Sequence, residues 1–354
     1  MAASLNALPG AGGTVQTVQT DQIAVGWDDR ILAAHTLPHF MQSSTWARIR
    51  SGGPWDASRR NLRIDRNYPV LAFERHAEGV GILQHLPRVS GLEPADIRPL
   101  TERVREDRGH AFATKIEVYQ PRDTTLDAAF AAAGWRPTRA SQYRYGISVD
   151  LDGGEEEILA RMKKRARAEI RIGDRNGITV ERAELGGADE EEMIALVRAT
   201  ERRSGAFFRS DEYLRTVWRT YDADDGGRLY LARHEGRVVC GAFVVCFGRR
   251  AWYKDGGSNR DLPNLMASRL MQWRIIQELA AEGYVDYDLG HVPDPDSAHP
   301  AGRGILIFKG AFAATCVEYQ PAYLLVHEEA GEAWRLGESA FIAEHRASTG
   351  DDFY

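Results

Sequence analysis

Lys309 ends the apolar run Ile305-Leu306-Ile307-Phe308, which follows Gly302-Arg303-Gly304. Four apolar residues, two of them β-branched, predict a buried strand. A charge at the end of such a strand must be desolvated, paired or used. Lysine carries only donors, on a flexible stem, so at a reacting centre it suits negative charge developing on an oxygen. The same position also suits an ammonium group that reaches water at a strand mouth.

Other residues of chemical interest fall into three groups. Residues 161–175 carry seven basic side chains against two acidic ones, a local charge of +5 in a chain of −6, leaving −11 elsewhere. Arg161, Lys163, Lys164, Arg165, Arg167, Arg171 and Arg175 surround a stripe of Ile158, Leu159, Met162, Ala166 and Ile170, which spans an arc of about 120° on a helix. Such a face suits phosphates, or it is simply solvated. Trp252-Tyr253-Lys254-Asp255-Gly256-Gly257-Ser258-Asn259 predicts a strand running into a Gly-rich loop, with Pro263-Asn264 opening the next helix. His291, which leads into the polar loop 292–303 before Lys309, and His299 within it are possible bases or solvated loop residues.

Several chemistries are disfavoured. Cys240, Cys246 and Cys316 form no Cys-x-x-Cys pair, and His-Glu-x-x-His is absent, so zinc is not expected. No Ser-His-Asp order or paired-carboxylate motif stands out. Asp189-Glu190-Glu191-Glu192 reads as the acidic first turn of a helix. The glycine spacing of an acyl-CoA phosphate loop occurs at His76-x-x-Gly79-x-Gly81 and His299-x-x-Gly302-x-Gly304. Both lack the leading Arg or Gln, and neither enters a predicted helix.

These residues must be held by a scaffold. With 354 residues, 43% hydrophobic and 27% charged, the chain predicts two soluble α/β domains. No apolar run approaches the roughly 18 residues of a membrane span. Met1–Gly13 lacks the features of a secretory signal, and residues 1–20 have the composition of a disordered tail. The cysteine usage points to the cytoplasm.

In the first half, strands are predicted at 69–73, from 81, at 113–119 and at 145–149, with helices at 95–105 and 125–133. A boundary follows near 150. Asp152 and Glu155 suggest a capping box for one helix over 155–175, closed by Asn176-Gly177. In the second half, helices are predicted at 189–203, 211–221 and 263–281, and strands at 229–232, 238–247, 251–254 and 285–289. Ala131-Ala132-Ala133-Gly134-Trp135 and Ala280-Ala281-Glu282-Gly283-Tyr284 echo one another, as a duplicated α/β unit would.

The ordered blocks resemble the FemABX aminoacyltransferase family between about Phe40 and Tyr319. Gln42-Ser43-Ser44-Thr45-Trp46 is similar to its early Gln-Ser-x-x-Trp segment. Asp150-Leu151, the basic helix and Ile170-Arg171 follow, with Ala168-Glu169 where the family has Tyr-Asn. Next come Thr200-Glu201-Arg202-Arg203, Tyr253–Ser258, Asp288-Leu289-Gly290, Phe308-Lys309-Gly310-Ala311-Phe312 and Glu318-Tyr319. The order and spacing of these blocks carry the resemblance.

It implies two tandem acetyltransferase-like (GNAT-like) domains, each a mixed twisted sheet flanked by helices. They would span 21–150 and 151–317, with 318–354 packing back on the first. It implies an aminoacyl-tRNA donor, bound through Lys163, Lys164, Arg167 and Arg171, and no cofactor or metal. Arg50 (or Arg48), Thr200, Arg202, Arg203, Tyr253 and Glu318 would bind the acceptor. Lys309 would stabilise the oxyanion or hold the tRNA terminus, and Phe308 would shape the site. Aligning an amine with an activated ester is worth up to about 7–11 kcal/mol, and one oxyanion donor about 3–4 kcal/mol.

The family's Phe-Gly-Gly after the lysine is Phe312-Ala313-Ala314 here, and its Asp-Leu-Gly-Gly is Asp288-Leu289-Gly290-His291. The acceptor is therefore either a peptidoglycan precursor, with peripheral membrane contact if lipid-linked, or a peptide-like natural-product intermediate. An acetyl-CoA-dependent N-acyltransferase on the same fold and an RNA-binding module are the alternatives.

Overall fold

The computed structural model describes residues 26–61, 68–205, 207–259, 265–296, 302–312 and 316–354. The predicted tail 1–20, His299, Pro263, Asn264 and Ala313-Ala314 lie outside the described residues. Helices α1 (Trp27–Ala34) and α2 (Ser44–Ser51) precede strands β1 (Asp56–Asn61), β2 (Pro69–Ala77) and β3 (Gly81–Val89). Then come α3 (Ile97–Glu106), β4 (Ala111–Val118), α4 (Thr124–Ala132), β5 (Arg136–Thr138) and β6 (Tyr145–Asp150). The middle contains α5 (Gly154–Arg161), α6 (Lys164–Arg175), β7 (Thr179–Ala183), α7 (Ala188–Ser204) and α8 (Asp211–Ala223). Strands β8 (Gly227–His234), β9 (Arg237–Phe247) and β10 (Arg250–Ser258) lead to α9 (Ala267–Ala281) and β11 (Asp286–His291). The chain ends with α10 (Arg303–Lys309), β12 (Cys316–Glu318), β13 (Ala322–Val326) and α11 (Glu329–Thr349).

Two mixed sheets result, ordered β1-β2-β3-β4-β13-β5 and β12-β6-β11-β10-β9-β8-β7. Each has one parallel pair, β3 with β4 and β10 with β11. The chain returns to the first sheet at its end: β13 inserts between β4 and β5, and α11 packs on β4 and β13. The strand at 145–150, read from sequence as closing the first half, is hydrogen-bonded to β11 and β12 and so belongs to the second sheet. Pairing of that kind is non-local, so no pattern within residues 145–150 announces it.

The predicted echo of helix ends is geometric. Gly134 and Gly283 take φ +94° and +86°. The next residue bonds back in each case, Trp135 N–H to the Phe130 carbonyl at 3.0 Å and Tyr284 N–H to the Leu279 carbonyl at 3.1 Å. This six-to-one closure needs a left-handed residue, which glycine supplies without strain.

One apolar core unites the two sheets, with Phe40 from the segment between α1 and α2 and Trp46 from α2 against Trp218, Tyr221, Phe243 and Trp252. On the far side of the second sheet, α9 buries Leu270, Met271, Trp273, Ile275, Ile276 and Leu279. Helix α6 lies close on α9 because residue 173 is glycine; a Cβ there would be 3.0 Å from Leu270 Cβ.

Two sequence expectations fail here. The helix predicted over 155–175 is two helices, broken where Met162 is extended at ψ 149°. The Lys163 N–H leaves the helical ladder and donates to the Ala311 carbonyl at 3.0 Å, so tertiary docking interrupts a good helical sequence. The Asp152/Glu155 capping box is replaced by Gly153 as N-cap, at φ +96° with no side-chain cap bond.

Candidate active site

Strands β10 and β11 are paired over only three residues, Arg250–Trp252 against Asp286–Asp288. By contrast, β3 and β4 remain paired from Ile82/Ala111 to Val89/Val118. Beyond Asp288 the parallel strands part, because each is irregular at that level. β10 shifts register between Tyr253 and Asp255, and β11 between Asp288 and His291. Such a parting frees backbone donors and acceptors that a ladder would otherwise consume.

Lys309 sits at this opening. Its Nζ donates to the His291 carbonyl at 2.8 Å and lies 5.8 Å from the centre of the Tyr253 ring. Burial pulls its ammonium group down to about 8, while the Asp288 carboxylate pulls the other way. Local desolvation and the Lys309 charge lower the His291 imidazole. Burial raises the Tyr253 phenol above its usual range.

The predicted strand before Lys309 is α10. Gly302, at φ +80°, caps it, and Ile305 and Ile307 are 44% and 52% exposed. A four-residue apolar run does not distinguish a strand from a helical turn, and no sheet edge receives it here. Phe308 is half-buried against Phe312, with ring centres 5.7 Å apart. The guanidinium of Arg269 lies 4.4 Å from the Phe308 ring and bonds the Phe308 carbonyl. Its Nε donates to Glu169 at 2.7 Å, and Glu169 also accepts from Arg165 at 2.6 Å. Arg269 thus ties α6, α9 and α10 together beside Lys309. Sequence reasoning missed it, although an arginine inside the apolar helix 267–281 was a usable signal.

The predicted Gly-rich loop is strand. Gly256, Gly257 and Ser258 pair with Ala242, Gly241 and Cys240 of β9. The glycines admit close neighbours instead: the Tyr253 phenol folds over Gly256, and a Cβ on Gly257 would be 2.5 Å from the Leu196 carbonyl oxygen. That approach brings the end of α7 to β10. Arg203 donates to the Ser258 carbonyl at 3.1 Å and to Thr200 Oγ1 at 3.2 Å. Thr200 and Arg203 are therefore joined to the strand that carries Tyr253. Arg202, on the same turn, is exposed.

Other predicted residues lie in separate clusters. Arg50 is buried between Trp46 and Trp55, 5.7 Å and 5.0 Å from their ring centres, and burial lowers its pKa. Tyr213, Arg209, Asp351 and Arg75 are among the groups that act on it, and none of them is a partner of Lys309. Arg48 is paired with Asp224 in a cavity of about 220 Å³ lined also by Asp28, Ser44 and Thr45. Glu318 accepts from Arg144 at 2.7 Å and Arg122 at 3.0 Å, and these bonds hold its carboxyl below the usual range.

On the basic helices, Arg165 is paired with Glu169, and Arg167 donates to the Leu159 carbonyl at 3.4 Å. Lys163, Lys164 and Arg171 are exposed, and no ion pair engages them among the described residues. Because Lys163 N bonds Ala311 O, these cations border the segment that follows Lys309.

Residues 160–298 match the acetyltransferase (GNAT) domain family. A lipid II:glycine glycyltransferase of Staphylococcus haemolyticus is 19% identical over 394 positions, covering 85% of this chain and 93% of the relative. Its Staphylococcus aureus counterpart is also 19% identical, with the same coverage. A crystal structure of FemX superposes with a TM-score of 0.73 at 16% identity, covering 90% of this chain and 98% of FemX. Fold and topology define a tandem GNAT-fold protein. The chain is thus similar over most of its length to lipid II:glycine glycyltransferases, and it shares the fold of FemX.

Proposed function

We propose that the protein is an aminoacyltransferase that extends a peptidoglycan precursor, taking its amino acid from aminoacyl-tRNA. The carrying observation is the Lys309 ammonium group at the parting of β10 and β11, held there by the His291 backbone carbonyl. The relatives act, by their names, on lipid II and glycine, which supports a precursor of that kind as acceptor. A tRNA donor would place the reaction in the cytoplasm. Among the described residues no helix is long and apolar enough to cross a membrane, so a lipid-linked acceptor would be met at the membrane surface.

In this reading the neutral acceptor amine attacks the ester carbonyl of the donor. A C–N bond forms, the carbonyl oxygen takes negative charge, and Lys309 offers that oxygen a charged donor. The C–O bond to the ribose then breaks; the amine loses a proton and the ribose hydroxyl gains one. Phe308 and Tyr253 would wall the site, with Thr200 and Arg203 at its rim. Lys163, Lys164 and Arg171 would meet the tRNA backbone. No metal or redox cofactor is required by these steps.

Mixed charged tRNA, a lipid II or nucleotide-linked murein precursor, and a panel of peptide amines test this. A new amide product detected by mass spectrometry and abolished by RNase treatment of the donor is expected. Product that survives RNase treatment overturns the tRNA assignment.

One observation favours a second reading: the match to an acetyltransferase domain over 160–298. It would make the protein an acetyl-CoA-dependent N-acyltransferase. The segment entering α9, residues 259–267, contains no glycine, which disfavours a backbone cradle for the CoA diphosphate there; Gly302-Arg303-Gly304 does enter a helix, α10, but lacks the leading Arg or Gln. Calorimetric binding of acetyl-CoA would decide for it.

A further inference from the structure

Asp288 joins the first sheet to the Lys309 opening. It is fully buried in β11. Its Oδ2 accepts from the hydroxyls of Tyr119, Tyr143 at 2.8 Å and Tyr319 at 3.4 Å. Its Oδ1 accepts the Gly290 N–H at 2.6 Å. Tyr119 follows β4 of the first sheet, Tyr143 precedes β6 and Tyr319 follows β12. The three phenols are themselves immobilised. Tyr119 and Tyr319 stack at 4.8 Å, and the Arg88 guanidinium lies 4.3 Å from the Tyr143 ring. A buried carboxylate needs such donors to remain charged.

The Gly290 bond shapes the site. Between Asp288 and His291, β11 carries two residues against the single Ile147 of β6. Gly290 closes this bulge at φ +75°, a conformation that glycine adopts freely. The bulge delivers the His291 carbonyl to Lys309 Nζ at 2.8 Å. Its backbone passes directly under the ammonium group: a Cβ on Gly290 would be 3.8 Å from Lys309 Nζ and 3.7 Å from the Tyr253 carbonyl oxygen.

We infer that Asp288 is a positioning residue for Lys309: held by three tyrosines, it fixes the bulge whose carbonyl orients the ammonium group. The kinetic part of the test rests on the role proposed above for Lys309; the titration part does not. Among the described residues the titratable groups facing Lys309 are Asp288 and His291 from β11 and Tyr253 from β10. Asp288 in turn faces Tyr119, Tyr143 and Tyr319, with Arg250 and Asp286 as further charges that couple to it and Arg88 on the tyrosine rings. Burial disfavours the charged amine and Asp288 favours it. Removing the carboxylate charge must therefore move the Lys309 titration to lower pH.

The chain has only five lysines, so each can be followed individually. The full protein, reductively methylated with ¹³C, is titrated by NMR, with Lys309→Arg identifying the Lys309 signal. In Asp288→Asn the Lys309 midpoint is expected to fall while the signals of Lys163 and Lys164 keep theirs. An unchanged or raised midpoint overturns the inference. Tyr143→Phe keeps the charge, removes one donor and serves if Asp288→Asn does not fold. Its Lys309 midpoint should stay or rise, and kcat should drop several-fold at unchanged KM. A lowered midpoint in Tyr143→Phe overturns the electrostatic link, and an unchanged kcat overturns the positioning role. The titration needs no substrate, so its outcome is independent of the acyl donor.

Discussion

The Lys309 ammonium group is held by the His291 backbone carbonyl at 2.8 Å, with no carboxylate in direct contact among the described residues. A carbonyl orients the amine without neutralising it, so its positive charge is left for another partner. Burial has already lowered its pKa to about 8.

That value sets the sign of a pH dependence. A lowered amine pKa means that the charged form is lost as pH rises through about 8. If the ammonium stabilises the oxyanion, turnover falls above that pH. Arginine stays charged at all accessible pH, so Lys309→Arg should lose the alkaline limb whatever its residual rate. Lys309→Ala should cost about 10²-fold or more in kcat. Single-turnover rates between pH 6 and 10 check all three outcomes, and a wild-type rate flat across pH 8 removes the role.

Donor binding should depend on the exposed cations beside the site. Lys163, Lys164 and Arg171 are the right set to neutralise, because Arg167 bonds the Leu159 carbonyl and its loss would perturb α5. The triple change to Gln should weaken tRNA binding and flatten its salt dependence, since each lost phosphate contact lowers the slope by about 0.7–0.9. Filter binding at several salt concentrations measures this; an unchanged slope places the tRNA elsewhere.

Stability of the first sheet should hinge on Lys115. It is fully buried on β4, 2.5 Å from Glu338 of α11, which also accepts from Thr138 at 3.0 Å and Tyr354 at 2.6 Å. Lys115→Met leaves two buried carboxylates, Glu338 and Glu117, without their cation. A loss of about 3–5 kcal/mol is expected in urea denaturation. Adding Glu338→Leu should recover part of it, because an apolar pair avoids the desolvation penalty.

The approach of α7 to β10 should fail with one added methyl. In Gly257→Ala the new Cβ meets the Leu196 backbone at 2.5 Å, which cannot move without shifting the helix. A destabilisation of about 1–3 kcal/mol is expected. KM for the acceptor should rise if Thr200 and Arg203 are displaced from Ser258. Thermal melting and acceptor titration read the two effects separately.

Most elements were legible as local patterns. Alternation marked 113–119, and apolar periodicity marked 189–203 and 211–221; helices and strands stand within a few residues of those positions. The helix ends at Gly134 and Gly283 were legible because a left-handed backbone leaves glycine in the sequence. The blocks around Thr200, Tyr253, Asp288 and Lys309 were legible in the same way, as residue types in order. Their roles as contacts were not: Thr200 and Arg203 meet β10, while Arg50 and Glu318 belong to other clusters.

The sequence by itself determined the α/β class, the echo of helix ends at Gly134 and Gly283 and the residue types available for chemistry, because these follow from periodicity, turn residues and composition within short windows; the tandem plan came from the family resemblance. Only the tertiary structure decided that 303–309 is a helix, that the basic helix breaks at Met162, and that β6 joins the second sheet. It also decided that Asp288 is surrounded by tyrosines from distant segments. Each of these depends on which backbone groups and side chains find partners far along the chain. That competition is settled by burial and hydrogen-bond satisfaction across the whole fold, which no local window contains.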